Sequence, residues 1–351
     1  MQLIKTGLCA FGMSGRVFHA PFLNEHPGFH MSAIVERTKH ASQEKYPYST
    51  IYRSVEQMLE HADIDLVVVN TPVQTHFDYT LKALEAGKHV IVEKPFTVNA
   101  YEARKLVCIA QDKGLFLSVY QNRRFDRDFL QVKKILSEKK LGNIKEVEIR
   151  FDRFRTESKG KEHKENPHIP AAGALHDLGA HLVDQAIQLF GFPEKLFADI
   201  FSMKGPSSAN DYFEIILYYA RNLRVRLKSS VFVKEDTFAY KLHGDRGSLL
   251  QQRSDHQEAE LLAGTLPKFQ QHWQKPLSNE DGIIHYLDDH NTDQRLLLKS
   301  HAGDYMVYYQ KIYEHILLGQ PLPSPGEEII FNMKLIDQAL ESAKRGTIVS
   351  V

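Results

Sequence analysis

Three side chains of this sequence have types and spacing suited to acid–base chemistry: Lys94, Asp177 and His181. Lys94 follows an apolar segment, residues 89–92, at the carboxyl end of a predicted strand, where ligands bind in nucleotide-binding sheets. Its ammonium group could stabilise negative charge that develops on a substrate oxygen. Asp177 and His181 would share one face of a helix predicted over about residues 175–190, and an aspartate there can hold an imidazole as a general acid/base. In isolation an ordinary surface charge is the favoured interpretation of each, so the functional interpretation depends on the rest of the chain.

A glycine-containing turn near the start of the chain reads Ala10-Phe11-Gly12-Met13-Ser14-Gly15. Gly12 would let the backbone approach a pyrophosphate, and Gly15 would allow close packing of a helix against a strand. Because alanine occupies the first fingerprint position, the pattern alone fits a turn without a ligand equally well. The strand predicted before the turn, and the acidic residue Glu36 about 20 residues beyond it, favour a dinucleotide site.

The choice between NAD and NADP depends on Glu36 and Arg37. A carboxylate at this position accepts hydrogen bonds from the ribose hydroxyls and repels a 2′-phosphate. Arg37 could instead bind that phosphate or stack on the adenine. The two signals conflict, and the repulsion by the carboxylate favours NAD. The other expected cofactor contacts follow the strands of the predicted sheet: Phe11, Gly12, Met13, Ser14, Gly15, Asn70, Thr71, Pro72, His76, Glu93, Lys94 and Asn122.

The order of predicted elements indicates an α/β protein with two different sheets. Apolar strands alternate with helices up to about residue 120, which predicts a doubly wound parallel Rossmann sheet covered on both faces. Later stretches of strand character follow one another without helices, which predicts a large, open, mostly antiparallel sheet in a C-terminal α/β domain. We therefore expect a dinucleotide-binding domain over residues 1–121 and a second domain over residues 122–351. Residues 252–291 are polar without a period and are predicted to be irregular.

Composition narrows the range of partners. The 351 residues contain 44 basic and 44 acidic side chains, so the net charge of zero does not indicate nucleic acid or an anionic membrane as a partner. The two cysteines have no paired metal-ligand spacing, and we expect no metal. Without a signal-like start or a run of about 20 apolar residues, the expected location is the cytoplasm.

Together these motifs resemble the Gfo/Idh/MocA family, named after glucose-fructose oxidoreductase and inositol dehydrogenase. The resemblance includes Thr71-Pro72, Glu93-Lys94-Pro95, and Asp177 with His181, while residues 12–19 and 118–126 are similar to the branch that contains scyllo-inositol dehydrogenases. It implies that Lys94 is the essential lysine and that Asp177 and His181 are the catalytic pair. It also implies that residues 122–351 are a substrate-binding and oligomerisation domain whose open sheet forms homodimers or homotetramers. Two departures are Ala10 and residues 161–165, where similar enzymes carry a Trp-Arg element near the expected substrate pocket.

The resemblance implies an NAD(P)-dependent oxidoreductase that transfers hydride between nicotinamide and a secondary alcohol of a cyclic polyol or sugar. One alternative is a catalytically silent dinucleotide-binding protein with a regulatory or sensor role. The presence of Lys94, Asp177 and His181 together argues against it, because a silent protein has no need of all three. Another alternative is an enzyme of the same fold that acts on a trans-diol or an imine.

Overall fold

A computed structural model describes residues 3–158, 160–235 and 237–351 and divides the chain into two compact units. The first unit comprises Met1–Asn122, His256–Gln274 and Asp304–Ile330. The second comprises Arg123–Asp255, Lys275–Gly303 and Phe331–Val351. The sequence predicts a single boundary, after residue 121. In the structure each unit combines three separate segments, so that residues 256–274 and 304–330 belong to the first unit.

The sheet of the first unit is parallel throughout. Its strands are β1 (Ile4–Leu8), β2 (Phe29–Val35), β3 (Thr50–Tyr52), β4 (Leu66–Val69), β5 (His89–Val92) and β6 (Leu117–Val119). They lie in the order β3-β2-β1-β4-β5-β6, and every neighbouring pair is parallel. This is the strand order of the dinucleotide-binding Rossmann sheet, as predicted. Strand β4 is buried along its whole length because both faces of such a sheet are covered.

The sheet of the second unit has nine strands. They are β7 (Ile144–Arg150), β8 (Lys195–Phe201), β9 (Tyr212–Tyr218), β10 (Arg224–Ser230), β11 (Tyr240–Gly244), β12 (Gly247–Gln251), β13 (Gly282–Leu287), β14 (Asp293–Leu298) and β15 (Val349–Ser350). Their order is β14-β13-β12-β11-β7-β10-β9-β8-β15, and apart from the parallel pair β7–β10 all neighbours are antiparallel. Residues of β9 alternate between buried and half-buried, as in a sheet with one covered and one open face. The predicted fold class is confirmed.

Ten α-helices accompany the sheets in the described part of the chain. They are α1 (Ala20–Glu25), α2 (Val55–His61), α3 (His76–Glu85), α4 (Ala100–Asp112), α5 (Arg127–Ser137), α6 (Glu162–Glu165), α7 (Ala180–Phe190), α8 (Gln257–Leu262), α9 (Met306–Leu318) and α10 (Gly326–Arg345). Short π-helical turns, Gly15–His19 and Leu175–Gly179, lead directly into α1 and α7, and 3₁₀ turns cover Val73–Thr75, Asn122–Phe125 and Ala220–Asn222. Across the described residues, no helix combines the length and the apolar character that a membrane span requires.

The prediction of irregular structure over residues 252–291 is wrong. This segment contains α8 and β13, and β13 pairs with β12 on one side and β14 on the other. Ile284, opposite Leu249 of β12, is almost fully buried. The short strand lies among polar residues, and its conformation depends on pairing with strands on both sides. Local composition therefore underestimates the tendency of this segment to form a strand.

Candidate active site

The predicted glycine turn lies at the carboxyl edge of the parallel sheet, because it follows β1, which lies beside β4. The side chain of Asn70, at the end of β4, holds this turn through both of its polar atoms. Its Nδ2 donates to the Ala10 carbonyl oxygen at 2.8 Å, and its Oδ1 accepts from the Ala10 backbone N–H at 3.0 Å. A Cβ atom on Gly15 would lie only 2.4 Å from the same carbonyl oxygen. Glycine at position 15 is therefore required by the approach of the helix start to the end of β1.

A cavity of about 580 Å³ opens beside this turn, within the first unit. Six of the predicted cofactor contacts line it: Phe11, Gly12, Glu36, Arg37, Thr71 and Pro72. A Cβ added to Gly12 would meet no atom within 4 Å, so the backbone there faces open space, as close approach of a pyrophosphate requires. Arg16, Lys39, Arg53 and Tyr79 are among the lining residues that were not predicted as cofactor contacts, and the last three lie outside the motifs read from the sequence.

The carboxylate of Glu36 is bound to its own loop. Its Oε2 accepts from the Ala41 backbone N–H at 2.9 Å, and its Oε1 accepts from the Ser42 backbone N–H at 2.8 Å and from the Ser42 hydroxyl at 2.5 Å. Burial favours the protonated acid, but the hydrogen bonds from Ser42 and Ala41 outweigh it and lower the pKa of Glu36. Both carboxylate oxygens thus have protein donors.

Glu93 joins the glycine turn to the end of β5. Its Oε1 accepts from the Ser14 hydroxyl and lies 2.9 Å from Nε2 of His19, and its Oε2 accepts from the Lys94 backbone N–H at 3.2 Å. Burial alone would raise the pKa of Glu93, but the contacts with His19 and Ser14 and the charge of Lys94 lower it to about 2. An ionised carboxylate therefore precedes the lysine predicted to act on the substrate.

The remaining predicted cofactor contacts differ in exposure. His76 is buried, with Nε2 2.8 Å from the Thr71 carbonyl oxygen and Nδ1 3.0 Å from that of Pro95. It thus bridges the segments that follow β4 and β5, and burial lowers the pKa of its imidazole. Met13 is exposed, while Asn122 is buried at the start of its 3₁₀ turn.

The predicted helix over residues 175–190 is confirmed as the π-helical turn Leu175–Gly179 followed by α7. Gly173 precedes it with a φ of +100°, and a Cβ there would lie 2.5 Å from Nδ2 of Asn210. The Oδ1 of Asn210 accepts from the Leu175 backbone N–H at 2.9 Å. The close approach of Asn210 to Gly173 and its bond to Leu175 therefore fix the start of the helix.

Asp177 and His181 lie on this helical stretch in the second unit. Asp177 lines a cavity of about 490 Å³, and its Oδ1 lies 2.8 Å from Nζ of Lys164. His181 is almost fully buried. Four residues of the segment 161–165 also line this cavity: Lys161, Glu162, Lys164 and Glu165. The region that departs from similar enzymes thus contacts Asp177 directly, and the contact of Lys164 was not predicted.

Comparison with known proteins agrees with this architecture. A family model described as an oxidoreductase family with an NAD-binding Rossmann fold matches residues 4–121, and its C-terminal alpha/beta domain counterpart matches residues 133–351. The chain is 35% identical over 352 residues to the uncharacterized oxidoreductase YhhX of Escherichia coli K12, covering 99% of both. It is 34% identical over 347 residues to scyllo-inositol 2-dehydrogenase (NADP(+)) IolW of Bacillus subtilis 168, covering 98% of this chain and 95% of IolW.

A solved structure of an oxidoreductase from Bacteroides fragilis NCTC 9343 superimposes on this chain with a TM-score of 0.89 at 42% sequence identity, covering 100% of both chains. The resemblance seen in the motifs therefore extends along the whole sequence and to the complete fold. The predictions of an oxidoreductase and of an N-terminal NAD-binding domain are confirmed. By sequence and by fold, this chain belongs to the Gfo/Idh/MocA family of oxidoreductases.

Proposed function

We propose that this protein is an NADP(H)-dependent dehydrogenase that acts on a secondary alcohol of a cyclic polyol or sugar. The observation that carries the proposal is the cavity beside the glycine turn, at the carboxyl edge of the parallel sheet that also places Lys94. Ligands of open α/β sheets bind at this edge. The name of the relative IolW supports an inositol-like substrate.

The proposed mechanism assigns one task to each predicted catalytic residue. The bound nicotinamide supplies the hydride chemistry. His181 takes the proton of the substrate hydroxyl, and Asp177 holds His181 and favours its protonated form. Lys94 stabilises the negative charge that develops on the substrate oxygen.

The contacts of Glu36 support NADP rather than the NAD favoured by the sequence. Its two carboxylate oxygens already accept hydrogen bonds from Ala41 and Ser42, which weakens the argument that they bind ribose hydroxyls. Four basic side chains line the same cavity: Arg16, Arg37, Lys39 and Arg53. Opposite charge at short range favours a 2′-phosphate, and the arginine fork suits phosphate geometry.

Cofactor choice is tested by comparing kcat/KM with NADP and NAD in the wild type and in Arg37→Ala. Arg37 is exposed and lines the cavity, so we expect the wild type to prefer NADP. In the variant, kcat/KM with NADP should fall about tenfold. Activity with NAD should change little. Lys45→Ala is the matched control, since Lys45 is an exposed cation of the neighbouring loop outside the lining. A wild-type preference for NAD would restore the original prediction from the sequence.

The role of Lys94 is tested by Lys94→Met in a screen of inositols and sugars that follows nicotinamide absorbance. Loss of a preorganised donor to a developing oxyanion costs roughly 3–4 kcal/mol, so turnover should fall at least about a hundredfold while cofactor binding persists. Lys88→Met is the control, because Lys88 precedes the same strand at its amino end. Near wild-type turnover of Lys94→Met would exclude the assigned role. Cofactor binding without turnover of any tested alcohol by the wild type would favour the silent-sensor alternative or a substrate of another class.

The open face of the nine-stranded sheet supports a proposal of a homodimer or homotetramer. One line of residues across that face is apolar at both ends and charged at its centre. From β8 to β14 the paired residues are Phe197, Ile216, Arg226, Glu148, Lys241, Leu250, Ile283 and Leu297. Such a mixed surface suits a second copy of the same chain.

A further inference from the structure

His19 is a fully buried histidine with a specific partner on each ring nitrogen. It ends the π-helical turn of the glycine motif, and its side chain has no solvent exposure. Its Nε2 lies 2.9 Å from Oε1 of Glu93, and its Nδ1 lies 2.9 Å from the hydroxyl oxygen of Tyr309 in α9. All three residues belong to the first unit. The mechanism proposed above assigns no role to this histidine.

Glu93 requires a proton on Nε2. Its carboxylate is ionised, since its pKa is about 2, and an ionised carboxylate only accepts hydrogen bonds. The 2.9 Å contact with His19 therefore needs a hydrogen on the imidazole nitrogen.

Tyr309 requires a proton on Nδ1 as well. Burial, together with the neighbouring phenols of Tyr120 and Tyr308, raises the pKa of Tyr309 far above its ordinary value, so its hydroxyl keeps its single hydrogen. That hydroxyl lies 2.6 Å from the carbonyl oxygen of Phe18, which can only accept. The tyrosine therefore donates to Phe18, and its oxygen is left to accept from His19.

We propose that His19 is an imidazolium, paired with Glu93, that serves as a positioning residue for Lys94. Both ring nitrogens donate, one to Glu93 and the other to Tyr309. The ion pair neutralises the carboxylate that immediately precedes Lys94. The positive charge of Lys94 is then not offset by Glu93 and can stabilise negative charge on the substrate. This role in catalysis rests on the function proposed above, whereas the protonation state does not.

The groups that face the ring agree with this assignment. Tyr120, after β6, places its ring centroid 4.8 Å from that of His19, and Tyr309 approaches from α9 with an interplanar angle of 85°. The carboxylate of Glu93 is the anion in contact, and Lys94 is the next residue along the chain. His76 provides a contrast, because its nitrogens contact carbonyl oxygens rather than a carboxylate, and burial lowers its pKa.

Nuclear magnetic resonance of the full-length protein with isotope-labelled histidine tests the protonation state without reference to activity. At neutral pH both ring nitrogens of His19 should carry a hydrogen, and the signals, one set among those of 18 histidines, are identified by their loss in His19→Gln. In Glu93→Gln, and independently in Tyr309→Phe, the ring should lose one of the two hydrogens. A wild-type His19 with a bare nitrogen would overturn the proposal.

Steady-state kinetics of a double-mutant cycle test the positioning role. His19→Gln leaves the charge of Glu93 uncompensated beside Lys94, so kcat should fall about tenfold while KM for the cofactor stays within about twofold. Adding Glu93→Gln removes that charge, and kcat should recover most of the loss. Suppose that the wild-type ring of His19 is doubly protonated but the double variant is no faster than His19→Gln. The ion pair is then structural, and the positioning role is wrong. A normal imidazolium signal with an inactive wild type would instead contradict the proposed function.

Discussion

Two acidic residues at the carboxyl edge of the first sheet, Glu36 and Glu93, have their negative charge engaged by protein donors. Backbone and hydroxyl groups of residues 41–42 bind Glu36, while Ser14 and His19 bind Glu93. The cavity beside Glu36 is also lined by four basic side chains, Arg16, Arg37, Lys39 and Arg53, which outnumber its carboxylate. Position in the sequence alone does not distinguish a carboxylate that contacts a ligand from one that supports a loop.

The depressed pKa of Glu93 predicts a specific loss of stability in acid. A pKa of about 2 in the folded chain against 4.5 in the unfolded chain corresponds to roughly 3 kcal/mol of stability at neutral pH. This contribution is fully present above the unfolded value and is lost as the pH falls through the folded value. Between about pH 5 and pH 2, the wild type should therefore lose roughly 3 kcal/mol more than Glu93→Gln, measured by urea denaturation.

Asp63→Asn provides the control for this measurement. Hydrogen bonding and the charge of Lys5 lower the pKa of Asp63 too, but the pair lies on the surface, where water screens it. Its acid dependence should match that of the wild type. Equal pH dependence of the wild type and Glu93→Gln would show that Glu93 titrates normally.

At the scale of elements, helix α7 is anchored by a buried ion pair within the second unit. Arg124 contacts Asp184 of α7 through two bonds, Nε to Oδ2 at 2.8 Å and Nη2 to Oδ1 at 2.5 Å. Both side chains are more than nine-tenths buried. This bidentate contact fixes the helix that follows Asp177 and carries His181.

Arg124→Met should destabilise the protein by roughly 3–5 kcal/mol, because it leaves the charge of Asp184 buried without its arginine. Arg345→Met is the matched control: Arg345 also pairs with a carboxylate, Glu341, but both lie exposed on α10, and the loss should stay below about 1 kcal/mol. Urea denaturation measures both. If the two variants lose similar free energies of unfolding, burial does not make the ion pair of Arg124 more important for stability than an exposed pair.

Periodicity and position in the sequence predict a large part of this architecture. The apolar runs at 66–69 and 90–92 are strands of the parallel sheet, and the helix over 175–190 has the predicted ends. Asn99 caps α4 as its sequence suggests, with its side chain accepting from the Glu102 backbone N–H. These features are local, so the residues that specify them are close together in the chain.

Contacts between distant residues account for what the sequence does not reveal. The link from His19 to Tyr309 spans 290 residues. Lys164 approaches Asp177 because of how residues 153–211 fold around their cavity. No spacing rule predicts pairings of this kind.

At the scale of the whole molecule, the open face of the nine-stranded sheet is the surface that we propose for the association of two copies of the chain. Its centre carries a ladder of ion pairs in which Nε of Arg226 lies 2.8 Å from Glu214 and Nζ of Lys241 lies 2.8 Å from Glu148. Apolar side chains flank this ladder, and Leu297 is 58% exposed. A face whose central charges are paired and whose flanking side chains are apolar suits a specific protein–protein interface.

We expect sedimentation velocity at micromolar concentration to show a homodimer or homotetramer. Ile216→Lys adds an uncompensated charge next to Arg226 on the half-buried face and should weaken association by at least about tenfold. Leu318→Lys, at an exposed residue at the end of α9, should leave association unchanged. A wild type that sediments as a monomer at all accessible concentrations would contradict this prediction.

The contribution of α9 to the first unit has a consequence for synthesis on the ribosome. Tyr308 donates to the Ser118 hydroxyl at 3.0 Å and Tyr309 to the Phe18 carbonyl oxygen, so the nucleotide-binding sheet is completed by a helix made near the end of translation. Two of the three segments of the second unit, Arg123–Asp255 and Lys275–Gly303, emerge before this helix. A nascent chain that ends at residue 122 lacks the rings of Tyr305 and Tyr309, which pack on Phe18 and Tyr120, so this apolar surface would stay exposed until the last part of the chain is made.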